Sequence, residues 1–184
     1  MNQILTLSFI TFIHCFSCIE NHAYGQRSIQ RNFLFTFDSL DTFSNEPDDW
    51  KKFANGYEVK IVQDKKHLGE SLLQISSISS RLEKDSIAFI ARKIDIPIGA
   101  KKVKLSGFLS SHSVQGRAGL SLIVNGKDSV LLSDEMKARA VRGSSPWKQY
   151  DIKFNIPRIA ESVMVGIYLI GSGTMWADNL KLIF

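Results

Sequence analysis

The side chains able to do chemistry here are few. The chain has four histidines, His14, His22, His67 and His112, and the first two fall within the N-terminal 25 residues. A serine nucleophile needs a histidine at its hydroxyl and a carboxylate to orient that histidine. His112 sits among Ser110, Ser111 and Ser113, and His67 follows Lys65-Lys66. No Gly-x-Ser-x-Gly elbow accompanies either one. Both are expected to be polar loop residues. Acid–base work on a glycoside needs two converging carboxylates. The adjacent pairs Asp48-Asp49 and Asp134-Glu135 point to opposite faces if extended. Cys15 and Cys18, the two cysteines, both lie in the apolar segment, so a thiol nucleophile or a cysteine zinc site is not expected beyond it. No phosphate-binding glycine loop is present. The expectation is a chain with no catalytic residues; a hydrolase, if it were one, would depend on His112.

Binding chemistry has better material. Trp50 and Tyr57 flank a polar loop that contains Asp48, Asp49, Lys51, Lys52 and Asn55. An aromatic face beside planar polar groups offers a sugar both an apolar platform and hydrogen-bond partners. Arg117, Glu135 and Arg139 are expected to line the same surface. The ligand this suggests is a carbohydrate or a cell-envelope polymer. The alternative is a protein-interaction or structural envelope component with no small ligand.

These residues must be positioned by strands, because the chain beyond residue 25 reads as strand almost throughout. Phe33, Phe35 and Phe37 alternate with Leu34 and Thr36. Tyr57 to Val62 follows an Asn55-Gly56 turn, and Ser71 to Ile78 alternates Leu73 and Ile75 against Leu72 and Gln74. Ser86 to Ile94 carries Ala88, Ile90 and Ile94 on one side. Val103, Leu105, Gly107 and Leu109 share a face opposite Lys102, Lys104 and Ser106. Ala118 to Val124 and Tyr150 to Ile156 repeat the alternation, and Val163 to Ile170 is apolar on both faces, as a central strand would be. Trp176, Leu180, Leu182 and Phe184 are read as one in-phase face, with Trp147 and Trp176 as core residues. Asn125-Gly126 and Gly171-Ser172-Gly173 mark tight reversals, and Pro97 and Pro157 end strands. About nine short strands with frequent turns indicate an all-β sandwich.

The order of motifs in the second half carries a resemblance. It runs Ala118-Gly119-Leu120, Val124-Asn125-Gly126, Asp134-Glu135-Met136 with Arg139 and Gly143, and Trp147-Lys148-Gln149-Tyr150. It continues through Asn155-Ile156-Pro157, Ala160, Gly166, Gly171-Ser172-Gly173 and Trp176-Ala177-Asp178-Asn179. This resembles the exported galactose-binding-like jelly-roll domain found ahead of Bacteroidetes tail-specific-type peptidases and erythromycin-esterase-like hydrolases. More broadly it is similar to carbohydrate-binding modules. The resemblance covers roughly residues 33–184 and implies a jelly-roll β-sandwich acting as a non-catalytic accessory module. It also implies a structural calcium where first and last strands meet, held here by Asp38 and Asp178. This chain departs from the pattern at Ser121 and Ile123, where such domains usually present a Trp and an Arg. No peptidase or esterase segment follows, so a stand-alone copy is expected.

Export is the remaining expectation. From Ile4 to Ile19 the chain has no Lys, Arg, Asp or Glu, and Ala23-Tyr24-Gly25 offers small residues at a cleavage point. Residues 1–25 therefore read as a signal peptide and 26–184 as one domain, periplasmic or extracellular. Ser17-Cys18 also fits a lipoprotein site, which would anchor the chain through Cys18. The apolar run is short for a membrane span. Beyond residue 25, 23 basic against 17 acidic residues leave a balance of +6. The charges are scattered along the sequence, and a nucleic-acid partner is not expected.

Overall fold

A computed structural model describes residues 31–35, 37, 50–63, 71–79, 82 and 86–184. The expected signal peptide, Cys18, Asp38, Asp48, Asp49 and His67 lie outside these described residues. Among the described residues, nine antiparallel strands form one curled sheet. They are β1 (Asn32–Phe35), β2 (Lys51–Ala54), β3 (Tyr57–Gln63), β4 (Ser71–Ser77), β5 (Ile87–Asp95), β6 (Lys102–Asn125), β7 (Val130–Asp134), β8 (Val141–Asn155) and β9 (Ser162–Ile183). A 3-10 turn, Lys137–Arg139, interrupts the β7–β8 connection. Among the described residues, no helix is long and apolar enough to cross a membrane. The architecture is the expected jelly-roll β-sandwich.

Two strands organise everything else. β6 and β9 pair along almost their whole lengths, from Lys104↔Ile183 to Asn125↔Ser162. A straight strand of 24 residues would run about 80 Å, whereas a domain of this size has a radius of gyration of about 15 Å. The ribbon must fold over, and it does so midway. Its register shifts between His112 and Gln115. Gly116 and Gly171 are directly paired there, with φ of 138° and 83°. A Cβ on Gly116 would come 2.1 Å from the Ile170 carbonyl oxygen, and one on Gly171 would come 2.0 Å from that of Gln115. Only glycine allows the two backbones to approach so closely in that conformation.

The bend makes two layers. In the first, β9 beyond the bend is flanked by β4 and then β3 on one side, with β1 pairing farther along it. The early half of β6 and then β8 lie on its other side. In the second layer, β2, β5, the early half of β9 and the late half of β6 lie in that order, with β7 at the end. The faces turned toward each other supply one core. It includes Leu73, Ile75, Leu105, Leu109, Ile152, Met175, Leu180 and Leu182 from the first layer, and Ala88, Ile90, Leu120, Leu122, Val163, Val165, Ile167 and Leu169 from the second.

Three sequence expectations change. The runs at 103–109 and 118–124 belong to one bent strand, not two. Ser106, expected on a solvent face, is buried, with its hydroxyl 3.5 Å from the Lys181 carbonyl. Trp176 is not in phase with Leu180. The pairs Ser106↔Lys181 and Phe108↔Asp178 leave Gly107 facing both Asn179 and Leu180, and Asn179 has φ 49°. This extra residue is a β-bulge, and it inverts the alternation. Met175 and Ala177 therefore point inward and Trp176 outward, half-buried.

Replacing Gly171 with Ala should cost about 2–4 kcal/mol of stability in urea unfolding. Gly99→Ala is the control, since Gly99 also has positive φ (82°) but nothing within 4 Å of the added carbon. It should cost only about 1 kcal/mol. Equal losses for the two variants would show that the bend does not depend on close backbone approach.

Candidate functional site

The structure divides the expected ligand residues among different surroundings. Trp50 is half-buried and packs edge-on against Phe35, with ring centres 5.4 Å apart, and at a tilt against Phe37 at 6.1 Å. The Arg92 guanidinium covers the other aromatic partner, 5.4 Å from the Phe35 ring centre. Trp50 thus fastens the start of β2 to the end of β1. Tyr57 is buried, 5% exposed, and its hydroxyl lies 2.8 Å from the Ser86 carbonyl and 2.9 Å from that of Gly171. Burial raises its pKa above the ordinary 10.

Arg117, Glu135 and Arg139 gather elsewhere, around the β7–β8 connection. Tyr168 donates its hydroxyl to the Glu135 carbonyl at 2.6 Å. Burial raises the Tyr168 pKa, with Arg117 and Arg142 pulling it down and Glu135 and Asp134 pushing it up. The Glu135 carboxylate pairs with Lys137 at 3.3 Å. Arg139 pairs with Asp134 and donates to the Asp151 carbonyl at 2.9 Å. Asp134 also accepts from the Met136 amide at 2.7 Å. These bonds tie the connection to β8. They do not bring Arg117, Glu135 and Arg139 onto a surface shared with Trp50 or Tyr57, because Tyr57 faces the interior.

The residues weighed for catalysis are likewise engaged in the fold. His112 is exposed, opposite Thr174. The Ser110 and Ser111 hydroxyls donate to the carbonyls of Ser145 (3.0 Å) and Gly143 (3.1 Å) rather than to His112. Asp178 is buried, and its two carboxylate oxygens accept from the Asn179 backbone amide (2.6 Å) and side-chain amide (3.0 Å). That local cap holds Asn179 in its left-handed conformation at the bulge. Calcium asks for six or more oxygen ligands. No group of three or more His, Cys, Asp or Glu side chains gathers among the described residues, so Asp178 does not by itself make such a cage.

A different surface assembles the chemistry that binding needs. It is the outward face of the first layer. Register places Lys60, Gln74, Trp176 and Ser110 in one row across β3, β4, β9 and β6. Phe108 and Gln149 lie one row along, and Trp147 stands close by on the edge strand β8, where the β6–β8 register shifts. Trp176 Nε1 donates to Gln74 Oε1 at 2.9 Å, and Gln74 Nε2 donates to Ser76 Oγ at 2.9 Å. Lys60 pairs with Glu58 at 3.1 Å on the flank. Trp147, Trp176 and Phe108 are all half-buried. Trp147 and Trp176 are therefore surface residues of the sandwich rather than the core residues expected. Their rings are outside the apolar core, and hydrogen bonding fixes Trp176 in place. Sequence reasoning missed this face. The available signal was Gln74 and Ser76 alternating with buried Leu73 and Ile75.

No protein-family model matches the chain. Among curated proteins it is 32% identical over 81 residues to the uncharacterized HTH-type transcriptional regulator YbfP of Bacillus subtilis (strain 168). That match covers 44% of this chain and 28% of the relative, so the chain spans under a third of the curated protein it resembles. The fold is similar to the CBM22-1 xylan-binding domain of Paenibacillus barcinonensis Xyn10C. The TM-score is 0.55 at 13% identity, over 82% of this chain and 91% of that domain. It is also similar to TmCBM61 in complex with β-1,4-galactotriose, with TM-score 0.50 at 14% identity, over 75% of this chain and 90% of that one. At such identities the likeness is one of fold.

Both buried tyrosines favour the protonated phenol in the folded state. A folded-state pKa raised above 10 gives stability that is present below pH 10 and lost as pH rises beyond it. Urea midpoints should fall more steeply above pH 10 for the native chain than for Tyr57→Phe. At neutral pH that variant should lose about 1–2 kcal/mol, because two carbonyls lose their donor. An unchanged alkaline slope would separate Tyr57 from this behaviour.

Proposed function

We propose that this chain is a non-catalytic glycan-binding module that works outside the cytoplasm. It holds a polysaccharide on the outward face of its first layer. The observation that carries this reading is the Trp176–Gln74–Ser76 chain of hydrogen bonds, set beside Phe108, Trp147 and Gln149. A fixed indole gives the C–H face of a sugar ring a flat apolar partner. Amides and hydroxyls around it match the sugar's hydroxyls. Such a surface binds by many modest contacts with little rearrangement, since its side chains are held before the ligand arrives.

The fold likeness supports the same reading. The Paenibacillus barcinonensis domain is a xylan-binding domain, and TmCBM61 was solved with β-1,4-galactotriose. Extracytoplasmic placement rests on the signal-peptide pattern of residues 1–25. A cell-envelope polymer is the natural ligand class for a module so placed.

Titration calorimetry against neutral β-1,4-linked xylan and galactan oligosaccharides tests the proposal. Binding in the micromolar to millimolar range is expected. Trp176→Ala should weaken it roughly tenfold or more, as loss of an aromatic anchor does. The same change should cost only about 1 kcal/mol of stability, since it removes one partly exposed hydrogen bond. No binding by the native chain, or unchanged binding by the variant, would remove the outward face from consideration.

A further inference from the structure

The outward face of the first layer does not end at its aromatic residues. Followed along β6 from Phe108, the outward positions become Ser106, Lys104 and Lys102. Lys104 stands directly opposite Lys153 on β8, and Lys102 opposite Asn155. On the other flank, Lys181 of β9 stands opposite Ser106. Like charges directly across a strand pair destabilise a sheet. Here only part of that repulsion is relieved. Lys104 pairs with Asp151 at 3.0 Å, while neither Lys102 nor Lys153 forms an ion pair with a described residue.

These lysines border a groove of about 480 Å³ lined by Lys102, Lys104, Lys153, Phe154, Asn155 and Phe184, among others. Phe184 is held there by an edge-on contact with Phe33, ring centres 6.2 Å apart. The groove therefore brings together an amide and three lysines beside the rims of two phenylalanines that pack against the core. Lys104 is four residues from Phe108 on one strand, about 13 Å at the usual strand rise. One linear polymer lying along β6 can reach both regions.

We infer that the ligand is an acidic polysaccharide, whose uronate carboxylates sit in the Lys102–Lys104–Lys153 groove while neighbouring sugar rings lie on Trp176 and Phe108. This inference rests on the glycan-binding reading above and names its ligand class. Juxtaposed ammonium groups gain most from an anion placed between them, and the exposed setting makes that gain sensitive to salt. A lipid headgroup or a nucleic acid is also anionic. The amide and hydroxyl lining of the aromatic region (Gln74, Ser76, Ser110 and Gln149) favours a hydroxyl-rich polymer over either.

The test uses the full chain and two oligosaccharide probes of equal length, oligogalacturonate and its neutral methyl ester. Calorimetric titrations are run at low and at physiological salt. The acidic probe is expected to bind roughly tenfold more tightly at low salt, with the preference shrinking as salt rises. The triple variant Lys102→Gln/Lys104→Gln/Lys153→Gln should lose that preference. Its circular-dichroism spectrum should match that of the native chain, which shows that it has folded. Equal binding of the two probes by the native chain would overturn the acidic-ligand inference and leave the glycan-binding reading intact. Failure of both probes would count against the two together. Tighter capture by phosphatidylglycerol vesicles or a single-stranded oligonucleotide than by oligogalacturonate would also overturn the inference.

Discussion

The fold depends on one geometric demand: a very long two-stranded ribbon has to turn back on itself without losing its ladder. β6 and β9 meet this demand where Gly116 faces Gly171. A side chain at either position would occupy the space of the opposing carbonyl. Because the ribbon continues through the bend, the two layers of the sandwich are hydrogen-bonded parts of one sheet. Their inner faces are brought together by covalent and ladder continuity as well as by apolar burial. Five strands then join the ribbon directly, β4 and β1 along late β9, β5 along early β9, and β8 and β7 along β6, while β3 joins β4 and β2 joins β5.

The bend also decides where function can reside. Every inward position near the fold-over is committed to core, and Tyr57 reaches across to cap Gly171 with its hydroxyl. Outward positions of the second layer are partly filled by aromatic side chains over glycines. Phe89 lies over Gly166 and Tyr168 over Gly119. In the first layer the outward row holds Trp176, Gln74 and Ser110, with Phe108 one row along, and the bulge at Asn179 is what turns Trp176 outward. The same face runs on into the lysine groove. A flat aromatic surface next to a band of positive charge is therefore a direct consequence of strand register.

Much of the architecture was legible in the sequence, because alternation is local. The apolar sets at 88–94, 103–109 and 118–124 read correctly as inward faces, 163–170 read correctly as a central strand, and Asn55-Gly56 and Asn125-Gly126 marked real turns. What sequence could not show was non-local. Two alternating runs separated by Ser111–Arg117 look like two strands until partner strand β9 is known to span both. One extra residue at the bulge inverts the phase of everything before it, so Trp176 read as core. Trp50 misled in the opposite direction. Its polar neighbours suggested an exposed platform, but the ring is a staple between Phe35, Phe37 and β2. Arg117, Glu135 and Arg139 were expected to line one binding surface. In the structure, Glu135 and Arg139 hold a connection in place, and Arg117 stands beside Tyr168. Composition hid the lysine groove, since its members come from two strands nearly fifty residues apart.

The chain has three tryptophans, Trp50, Trp147 and Trp176, and they occupy distinct settings. Each gives one indole N–H signal in a nitrogen–proton correlation spectrum, so a glycan titration followed at those signals reports directly on the binding face. The account predicts that Trp176 and Trp147 shift with saturating dependence on oligosaccharide while Trp50 stays fixed. Movement of Trp50 alone, with Trp176 and Trp147 unchanged, would place the ligand at the β1–β2 staple and contradict it.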